Sequence, residues 1–361
     1  IQPPKEFKLD EIDVEAATRT RTIIMFIGSL IHEFKKFKLP HSQGCKLGKR
    51  TIAAHQFGLE SMGVKIEVHA DHYLVTSKEL KESEIIMFEA GDTATENLLI
   101  AASIIPGKTT IKYASSNYMV QDVCCFLEAL GVKIEGVGTS TIIVHGKENI
   151  DQDIEFYNSE DPIEAMMLFS AAIVTNSEIT INRVPIEFVE LELYRLAKMG
   201  FAYQQSTVYK SKNNHTKLVD ITTKKSELKA IDEKITCGAY PDINIDNLPF
   251  FVPIAAASEG VSLIHDWVYE NRSFYFLELT KLGIDIRLAD PHRVFVYGKN
   301  KFKPAQVVCP PALRPAMIVL IAMLGASGTS ILRNVYSINR GYEEIAERLN
   351  QIGADIEVLN G

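Results

Sequence analysis

An internal repeat is the feature that most constrains how this chain can fold. Five segments end an amphipathic helical pattern at a glycine and continue into alternating apolar and polar residues: GLESMGVKIEV, FLEALGVKIEG, LYRLAKMGFAY, LELTKLGIDIR and RLNQIGADIEV. A glycine in this place is typical of a left-handed helix C-cap, and the alternation predicts a strand. The glycines are separated by 68, 69, 83 and 70 residues: Gly63, Gly131, Gly200, Gly283 and Gly353. Units of this length exceed ordinary solenoid repeats, so each is predicted to be a small subdomain of strands and helices.

The order of elements within the units predicts a two-lobed α/β protein. FEAGDTATENLLIAASIIPGKTTIKYAS contains a loop, an apolar helix, a turn and a β-rich run, and NIDNLPFFVPIAAASEGVSLIHDWV repeats that order. We expect strand, helix, strand, helix and hairpin in each unit, with the helices on the inside of each lobe. An acidic, turn-rich stretch from Glu148 to Pro162 predicts a boundary between a first lobe, residues 1–157 with two repeats, and a second lobe, residues 158–361 with three.

Two similar lobes would hold a ligand in the cleft between them. The long third interval, of 83 residues, comes from the lysine-rich residues 204–232, which are predicted to form a solvated hairpin insertion. The chain opens on IQPPKEFKLDEID without an initiator methionine, and we expect further residues upstream.

Composition excludes several classes of function. With 361 residues and 46% hydrophobic content the chain can build two cores, and its net charge of −8 argues against a nucleic-acid binder that works through bulk positive charge. The five cysteines form no C-x-x-C pair, so free thiols in a reducing, cytoplasmic compartment are predicted rather than a metal site. The longest apolar run, PAMIVLIAMLGA, is far short of the roughly 20 residues that span a membrane, and it predicts a core helix.

Arginines recur where the repeat helices are predicted to begin. Helix N-termini carry unpaired N–H groups and the positive end of the helix dipole, so arginines there favour an anion site. Cys45, Asp246 and Glu270 stand in the same loops, together with these arginines: Arg19, Arg21, Arg50, Arg272, Arg314 and Arg340. Each residue also has a plain structural interpretation. An arginine that opens an apolar helix can lie at the surface, and Asp246 can be a helix N-cap.

Taken together, these motifs resemble the enolpyruvyl transferases, and most of all the UDP-N-acetylglucosamine 1-carboxyvinyltransferase family. The family loop LPGGC-x-x-G-x-R-P is similar to QGCKLGKRT, its ATEN helix start to ATENLLIAAS, its FENR to YENR and its DLRA to ALRP. Its DRGYE, followed by LGA, is similar to NRGYEEIAERLNQIGA. The resemblance runs from about Thr18 to the C-terminus. It implies a two-lobed, inside-out α/β barrel of six βαβαββ units, five of them visible and one upstream.

The resemblance implies a transferase that moves the enolpyruvyl group of phosphoenolpyruvate to the 3-hydroxyl of UDP-N-acetylglucosamine and releases phosphate, the first committed step of peptidoglycan synthesis. By this resemblance, Cys45 protonates C3 of phosphoenolpyruvate and is the target of fosfomycin-type epoxides, and Asp246 is the base for the sugar hydroxyl. Arg50, Arg314 and Arg340 complete the catalytic centre. No cofactor, metal, nucleic acid or membrane is implied. The substrate contacts implied are Arg21, Arg50, Thr51, Ile52, Ala53, Ala54, Asp246, Val268, Glu270 and Arg272.

Several positions depart from the family pattern and leave the acceptor open. The family's Lys-Asn pair that contacts phosphoenolpyruvate would lie upstream, and the acidic residue used for the uracil ring falls on Ala53. The diphosphate loop carries Glu89 and Asp92, whose charge would repel a pyrophosphate, and the aspartate of DRGYE is Asn339. One alternative is a non-catalytic homologue that binds a sugar nucleotide or a partner. The other is the branch acting on shikimate 3-phosphate, which lacks the loop cysteine.

Overall fold

The computed structural model describes residues 6–19, 21–41 and 51–359. Within these ranges the chain divides into two compact units, unit 1 ending at Asn158 and unit 2 beginning at Ser159. The predicted site residues Cys45 and Arg50 lie outside the described ranges.

The described part of unit 1 forms two sheets, with strand orders β1-β3-β2 and β4-β5-β7-β6. Its helices are α1 Val14–Arg19, α2 Ile27–Glu33, α3 Ala53–Ser61, α4 Asp92–Ala102 and α5 Tyr118–Ala129. Its strands are β1 Lys36–Pro40, β2 Val64–Val68, β3 His72–Ser77, β4 Glu84–Ile86, β5 Gly107–Lys112, β6 Lys133–Glu135 and β7 Thr141–Gly146.

Helix α4 lies at the centre of unit 1. It packs against α2, α3 and α5, and its apolar side chains are fully buried: Leu98, Leu99, Ala101 and Ala102. Strands β4 and β5 flank it in the sequence and pair in parallel, whereas β7 pairs antiparallel with both β5 and β6. The sheets therefore surround buried helices, as the sequence predicts for each lobe.

Unit 2 contains three sheets in the part that the structure describes: β8 to β11, then β12-β13-β15-β14, then the parallel pair β16-β17. Its helices are α6 Pro162–Thr175, α7 Glu190–Lys198, α8 Phe251–Ala257, α9 Arg272–Phe276, α10 Leu313–Leu324, α11 Tyr336–Asn339 and α12 Ile345–Gln351. Its strands are β8 Thr180–Pro185, β9 Tyr203–Gln205, β10 Tyr209–Lys210, β11 Lys217–Thr223, β12 Ile235–Thr236, β13 Gly260–His265, β14 Asp285–Asp290, β15 Arg293–Gly298, β16 Gln306–Val308 and β17 Ile331–Arg333.

The repeated order of elements is confirmed by sheet topology. The order β12-β13-β15-β14 reproduces β4-β5-β7-β6, with a parallel first pair and an antiparallel hairpin. In each sheet a helix connects the parallel strands, and a second helix precedes the hairpin. Both sheets therefore carry the predicted βαβαββ unit.

The core of unit 2 consists of helices α6, α8 and α10, which pack on one another. Helix α6 begins where the Asp161 side chain accepts a hydrogen bond from the Ile163 backbone N–H at 2.8 Å, with Pro162 in the first turn, where its missing N–H costs nothing. It ends at Asn176, which is in the left-handed conformation with φ +49°. Helix α10, with twelve residues, is the core helix predicted from PAMIVLIAMLGA, and no described helix is long and apolar enough to cross a membrane.

The glycines that mark the repeat all adopt positive φ. Their φ angles are +96°, +79°, +102°, +82° and +104° in the order Gly63, Gly131, Gly200, Gly283 and Gly353. A residue with a Cβ is strained in this region, so the left-handed helix ends predicted from the sequence are confirmed.

Two sequence predictions about strands are wrong. The insertion of residues 204–232 is not wholly solvated, because β11 pairs with β8, β9 and β10 and buries Leu218, Val219 and Ile221. The alternating residues after Gly353 form no strand within the described range up to Leu359. Alternation alone is insufficient there, because a strand also needs a neighbouring edge with which to pair.

We expect Gly131→Ala to lower the free energy of unfolding by about 1–2 kcal/mol, the cost of a left-handed alanine. The new Cβ would meet the flexible ends of two side chains, Lys147 at 3.0 Å and Gln152 at 3.8 Å, so the loss measures mainly backbone strain. Gly63→Ala should cost more, since its Cβ would lie 2.4 Å from the Glu79 carbonyl oxygen. Gly131→Asn is the control, because asparagine tolerates this conformation. Equal urea midpoints for all three variants and the wild type would contradict the assignment.

Candidate functional site

The Asp246 carboxylate is the meeting point of the predicted site residues in unit 2. It lies in the turn before the 3₁₀ helix Leu248–Phe250, and its side chain is 37% exposed. Its Oδ2 accepts hydrogen bonds from Nε and Nη2 of Arg314 at 3.3 and 3.2 Å. Its Oδ1 lies 3.7 Å from Nη1 of Arg272. Two arginines from different repeats therefore share one carboxylate.

Arg314 stands in the first turn of α10 and its side chain is only 13% exposed. Its Nη1 donates to the Tyr342 hydroxyl at 2.6 Å. Tyr342 belongs to the NRGYEE motif, so this contact joins the ALRP and RGYE segments of the sequence.

Arg272 is almost fully buried at the start of α9. Its Nε donates to Oδ2 of the buried Asp266, and its Nη2 donates to the Ile245 carbonyl oxygen at 2.8 Å. The guanidinium also lies 4.6 Å from the centroid of the Tyr269 ring. Contacts with two other chain segments, at Asp266 and Ile245, therefore fix the Arg272 side chain in its position next to Asp246. We name Asp246, Asp266, Arg272, Arg314 and Tyr342 the Asp246 cluster.

Electrostatics keep Arg314 charged and Tyr342 neutral. Burial of the Arg314 guanidinium acts to lower its pKa, but the interactions with the Asp246 carboxylate, the Tyr342 hydroxyl and Asp161 outweigh burial and hold this pKa above its usual value. Burial raises the pKa of the Tyr342 hydroxyl to about 12, although Arg314 opposes the shift. Burial also raises the pKa of Asp161, which caps α6. The cluster therefore pairs two guanidinium groups with two aspartates, and only the Asp246 carboxylate is substantially exposed.

The Asp246 cluster has the parts of a proton-transfer site for an anionic substrate. A carboxylate oriented by guanidinium donors, with open space on one side, can accept a proton from a hydroxyl group. Arg314 can also present N–H donors to a phosphate or carboxylate, for which its planar fork is suited.

The plain structural interpretations of Asp246 and Arg314 are wrong. Asn247, not Asp246, occupies the N-cap position of the 3₁₀ helix, and no side chain there makes a capping hydrogen bond. Arg314 opens an apolar helix but is paired and mostly buried instead of lying at the surface.

In unit 1, Arg21 and the segment Thr51–Ala54 come together. Nη2 of Arg21 donates to the Thr51 carbonyl oxygen at 3.2 Å. The side chains of Ile52 and Ala54 are buried in the core of the unit, whereas Thr51 is exposed. Ala53 is half-buried, so Thr51 and Ala53 are the accessible side chains of this segment.

The side chain of His55 holds the start of α3 in place. Its Nδ1 lies 3.1 Å from Nδ2 of Asn97, which also donates to the Ile24 carbonyl oxygen at 3.0 Å. Burial, with a smaller effect from the charge of Arg21, lowers the pKa of His55 to about 4, so the ring is neutral at pH 7. The hydrogen bond and the burial of this neutral ring indicate a structural role for His55.

In the acidic loop at the start of α4, the Asp92 carboxylate is paired by internal hydrogen bonds. Asp92 accepts from the Ser115 hydroxyl at 2.5 Å and from Nδ2 of Asn117 at 3.1 Å. Burial, together with the charge of Asp92, raises the pKa of Glu96 to about 7. Glu89 is exposed. The Asp92 carboxylate thus ties α4 to the segment before α5.

The other predicted site residues of unit 2 are close in sequence to members of the Asp246 cluster. Val268 and Glu270 are in the segment between Asp266 and Arg272, and Glu270 is exposed. Arg340 is exposed at the end of α11, two residues before Tyr342.

Sequence reasoning missed two side chains that hold this site together, Asp266 and Tyr342. Asp266 follows an apolar strand, and Tyr342 stands in the NRGYEE motif without a predicted role of its own. A buried carboxylate or hydroxyl at such positions has no periodic signature, so its partner becomes visible only in the folded chain.

Known proteins resemble this chain across most of its length. The family model for EPSP synthase (3-phosphoshikimate 1-carboxyvinyltransferase) matches residues 17–349. A UDP-N-acetylglucosamine 1-carboxyvinyltransferase of Treponema pallidum is 31% identical over 349 residues, which are 96% of this chain and 80% of that protein. One of Bradyrhizobium diazoefficiens is 32% identical over 359 residues, 98% of this chain and 80% of that protein.

Solved structures share the fold. The enolpyruvyl transferase NikO from Streptomyces tendae superposes with a TM-score of 0.81 at 21% identity, covering 98% of this chain and 80% of that one. EPSP synthase from Acinetobacter baumannii gives a TM-score of 0.72 at 19% identity, covering 94% of this chain and 79% of that one. The family match, the relatives at 31–32% identity and the shared fold lead to one conclusion. This chain belongs to the enolpyruvyl transferase family, and within it to the UDP-N-acetylglucosamine 1-carboxyvinyltransferases.

Proposed function

We propose that this protein transfers the enolpyruvyl group of phosphoenolpyruvate to the 3-hydroxyl of UDP-N-acetylglucosamine and releases phosphate, a reaction of peptidoglycan synthesis. The observation that carries the proposal is the Asp246 carboxylate, partly exposed and oriented by Arg272 and Arg314. The choice of acceptor is supported by the names of the relatives at 31–32% identity.

In the first half of the proposed reaction, the sugar hydroxyl adds to C2 of phosphoenolpyruvate. Asp246 accepts the hydroxyl proton as the new C–O bond forms, and the thiol of Cys45 donates a proton to C3. Arg314, with Arg21, Arg50 and Arg340, neutralises the phosphate and carboxylate of the substrate. Cys45 and Arg50 enter the proposal through their sequence motif alone.

In the second half, the Cys45 thiolate takes a proton back from C3 and the bond between C2 and the phosphate oxygen breaks, while protonated Asp246 returns its proton to the departing phosphate. The electron pair of the C–H bond restores the double bond, and phosphate departs. No oxidant, cofactor or metal ion is required for this balance. The partners proposed are therefore the two small-molecule substrates, and the proposed location is the cytoplasm, which supplies both.

Phosphate release from phosphoenolpyruvate by the full-length protein tests the acceptor. We expect release with UDP-N-acetylglucosamine and none above background with shikimate 3-phosphate, because the relatives at 31–32% identity carry the former name. Release with shikimate 3-phosphate alone would contradict the proposed acceptor. Binding of UDP-N-acetylglucosamine without any release would support the non-catalytic alternative instead.

The protonation of Cys45 provides a second test. Cationic neighbours should depress its pKa below the usual value of about 8.5, yet an acid must keep its proton. We expect bound phosphate to offset the arginines and raise the pKa at which iodoacetamide alkylates Cys45. The other cysteines should not interfere, because all four are buried and burial raises their pKa values to between about 11 and about 12: Cys124, Cys125, Cys237 and Cys309.

An alkylation pKa that phosphate leaves unchanged would contradict this account of the thiol. In the same protein a fosfomycin-type epoxide should label Cys45, and Cys45→Ala should abolish the labelling. Labelling that survives the substitution would remove Cys45 from the site.

A further inference from the structure

We propose that Glu192 is a positioning residue that fixes the turn carrying Asp246. The inference rests on the proposed role of Asp246 as the base, and it adds a residue outside the motifs that define the family resemblance. Glu192 comes from α7, which is separate in sequence from all the segments of the Asp246 cluster.

The Glu192 carboxylate holds the Asp246 turn from both sides. It is 2% exposed, and its Oε1 accepts hydrogen bonds from the Asn244 backbone N–H at 3.0 Å and from Nδ2 of Asn247 at 2.8 Å. Asn247 is completely buried. The two donors lie two residues before and one residue after Asp246, so one buried oxygen restrains the whole turn.

The restraint continues from Asn244 to Asp246 itself. Oδ1 of Asn244 accepts a hydrogen bond from the Asp246 backbone N–H at 2.9 Å. The Asn244 carbonyl oxygen accepts from the backbone N–H groups of Asn247 and Leu248 at 2.9 and 3.2 Å. Glu192 therefore fixes Asn244, and Asn244 fixes the backbone of Asp246.

The burial of a carboxylate at position 192 indicates a role beyond packing. A buried carboxylate is costly unless it is hydrogen-bonded, whereas an apolar residue would fit an amphipathic helix at no such cost. Burial raises the pKa of Glu192, although the hydrogen bonds from Asn247 and Asn244 act against the shift. The Oδ1 of Asn247 has no hydrogen-bond partner in the described structure. The hydrogen bond from Nδ2 to Glu192 therefore orients this amide.

Glu192→Leu and Glu192→Gln separate positioning from simple stabilisation. Leucine removes both hydrogen bonds, and we expect kcat to fall on the order of tenfold to a hundredfold, because small misplacement of a catalytic group has effects of that size. The dissociation constant for phosphoenolpyruvate, measured by calorimetry, should stay within about twofold, since the hydrogen bonds of Glu192 in the described structure go to Asn244 and Asn247 and not to Arg314. Glutamine keeps an Oε1 acceptor for both donors and should retain most of kcat.

Thr223→Val is the matched control. The Thr223 hydroxyl is buried in the same unit, donates to the Ser177 carbonyl oxygen at 2.9 Å and accepts from the Ile179 backbone N–H at 3.0 Å. It is remote in sequence from the Asp246 turn, so its loss should lower the melting temperature without changing kcat. If Glu192→Leu fails to fold, Asn244→Ala removes the link to Asp246 and should lower kcat in the same way.

Hydrogen exchange tests the restraint without requiring activity. In Glu192→Leu the peptide covering residues 242–248 should exchange faster than in the wild type, and in Thr223→Val it should not. Unchanged exchange, or full kcat in Glu192→Leu, would overturn the proposal, as would a Glu192→Gln variant as slow as Glu192→Leu. A wild-type protein without transferase activity would refute the proposed function instead, and exchange would still report on the restraint.

Discussion

Two buried guanidinium groups share one carboxylate, and the arrangement of the second unit depends on that pairing. Removing a guanidinium group from water costs several kcal/mol unless anions and hydrogen bonds compensate for the loss. Asp266 compensates Arg272 inside the unit, and Asp246 completes the pairing for both arginines. The starts of α9 and α10 are consequently held against the Asp246 turn.

The repeated unit explains why these residues meet. Strands β12 and β13 are parallel, so the residues that follow them, Cys237 and Asp266, leave the sheet at the same edge. The Sγ of Cys237 lies 4.0 Å from the Asp266 carboxylate, which confirms how close the two strand ends are. In α/β sheets, binding sites form outside the carboxyl ends of such strands. One βαβαββ unit thus contributes both Asp246 and Arg272 to the site, and the next unit contributes Arg314.

Much of the fold was predictable because it depends on local chemistry. Left-handed glycines, helix periodicity and strand alternation are properties of a few neighbouring residues, and the topologies of β4–β7 and β12–β15 agree with them. The burial of β11 and the absence of a strand after Gly353 in the described residues were not predicted, since both depend on whether a distant edge is available for pairing.

The site was predictable only in part. Asp246, Arg272 and Arg314 stand in recognisable motifs, and the described structure brings them into contact. Their supports, Asp266, Tyr342 and Glu192, carry no local signature, because each acts through a partner that folding brings near. The loop with Cys45 and Arg50 lies outside the described residues, and its role continues to rest on sequence.

The kinetics of Asp246→Asn test the central claim most directly. Asparagine preserves the shape of the side chain but removes its charge and its basicity, so the account predicts a fall in kcat of roughly 10²- to 10⁴-fold. Binding of phosphoenolpyruvate should not weaken, because Arg272 and Arg314 would lose an anionic competitor. Near-normal turnover by Asp246→Asn, or a loss of activity explained by weaker phosphoenolpyruvate binding, would contradict the account.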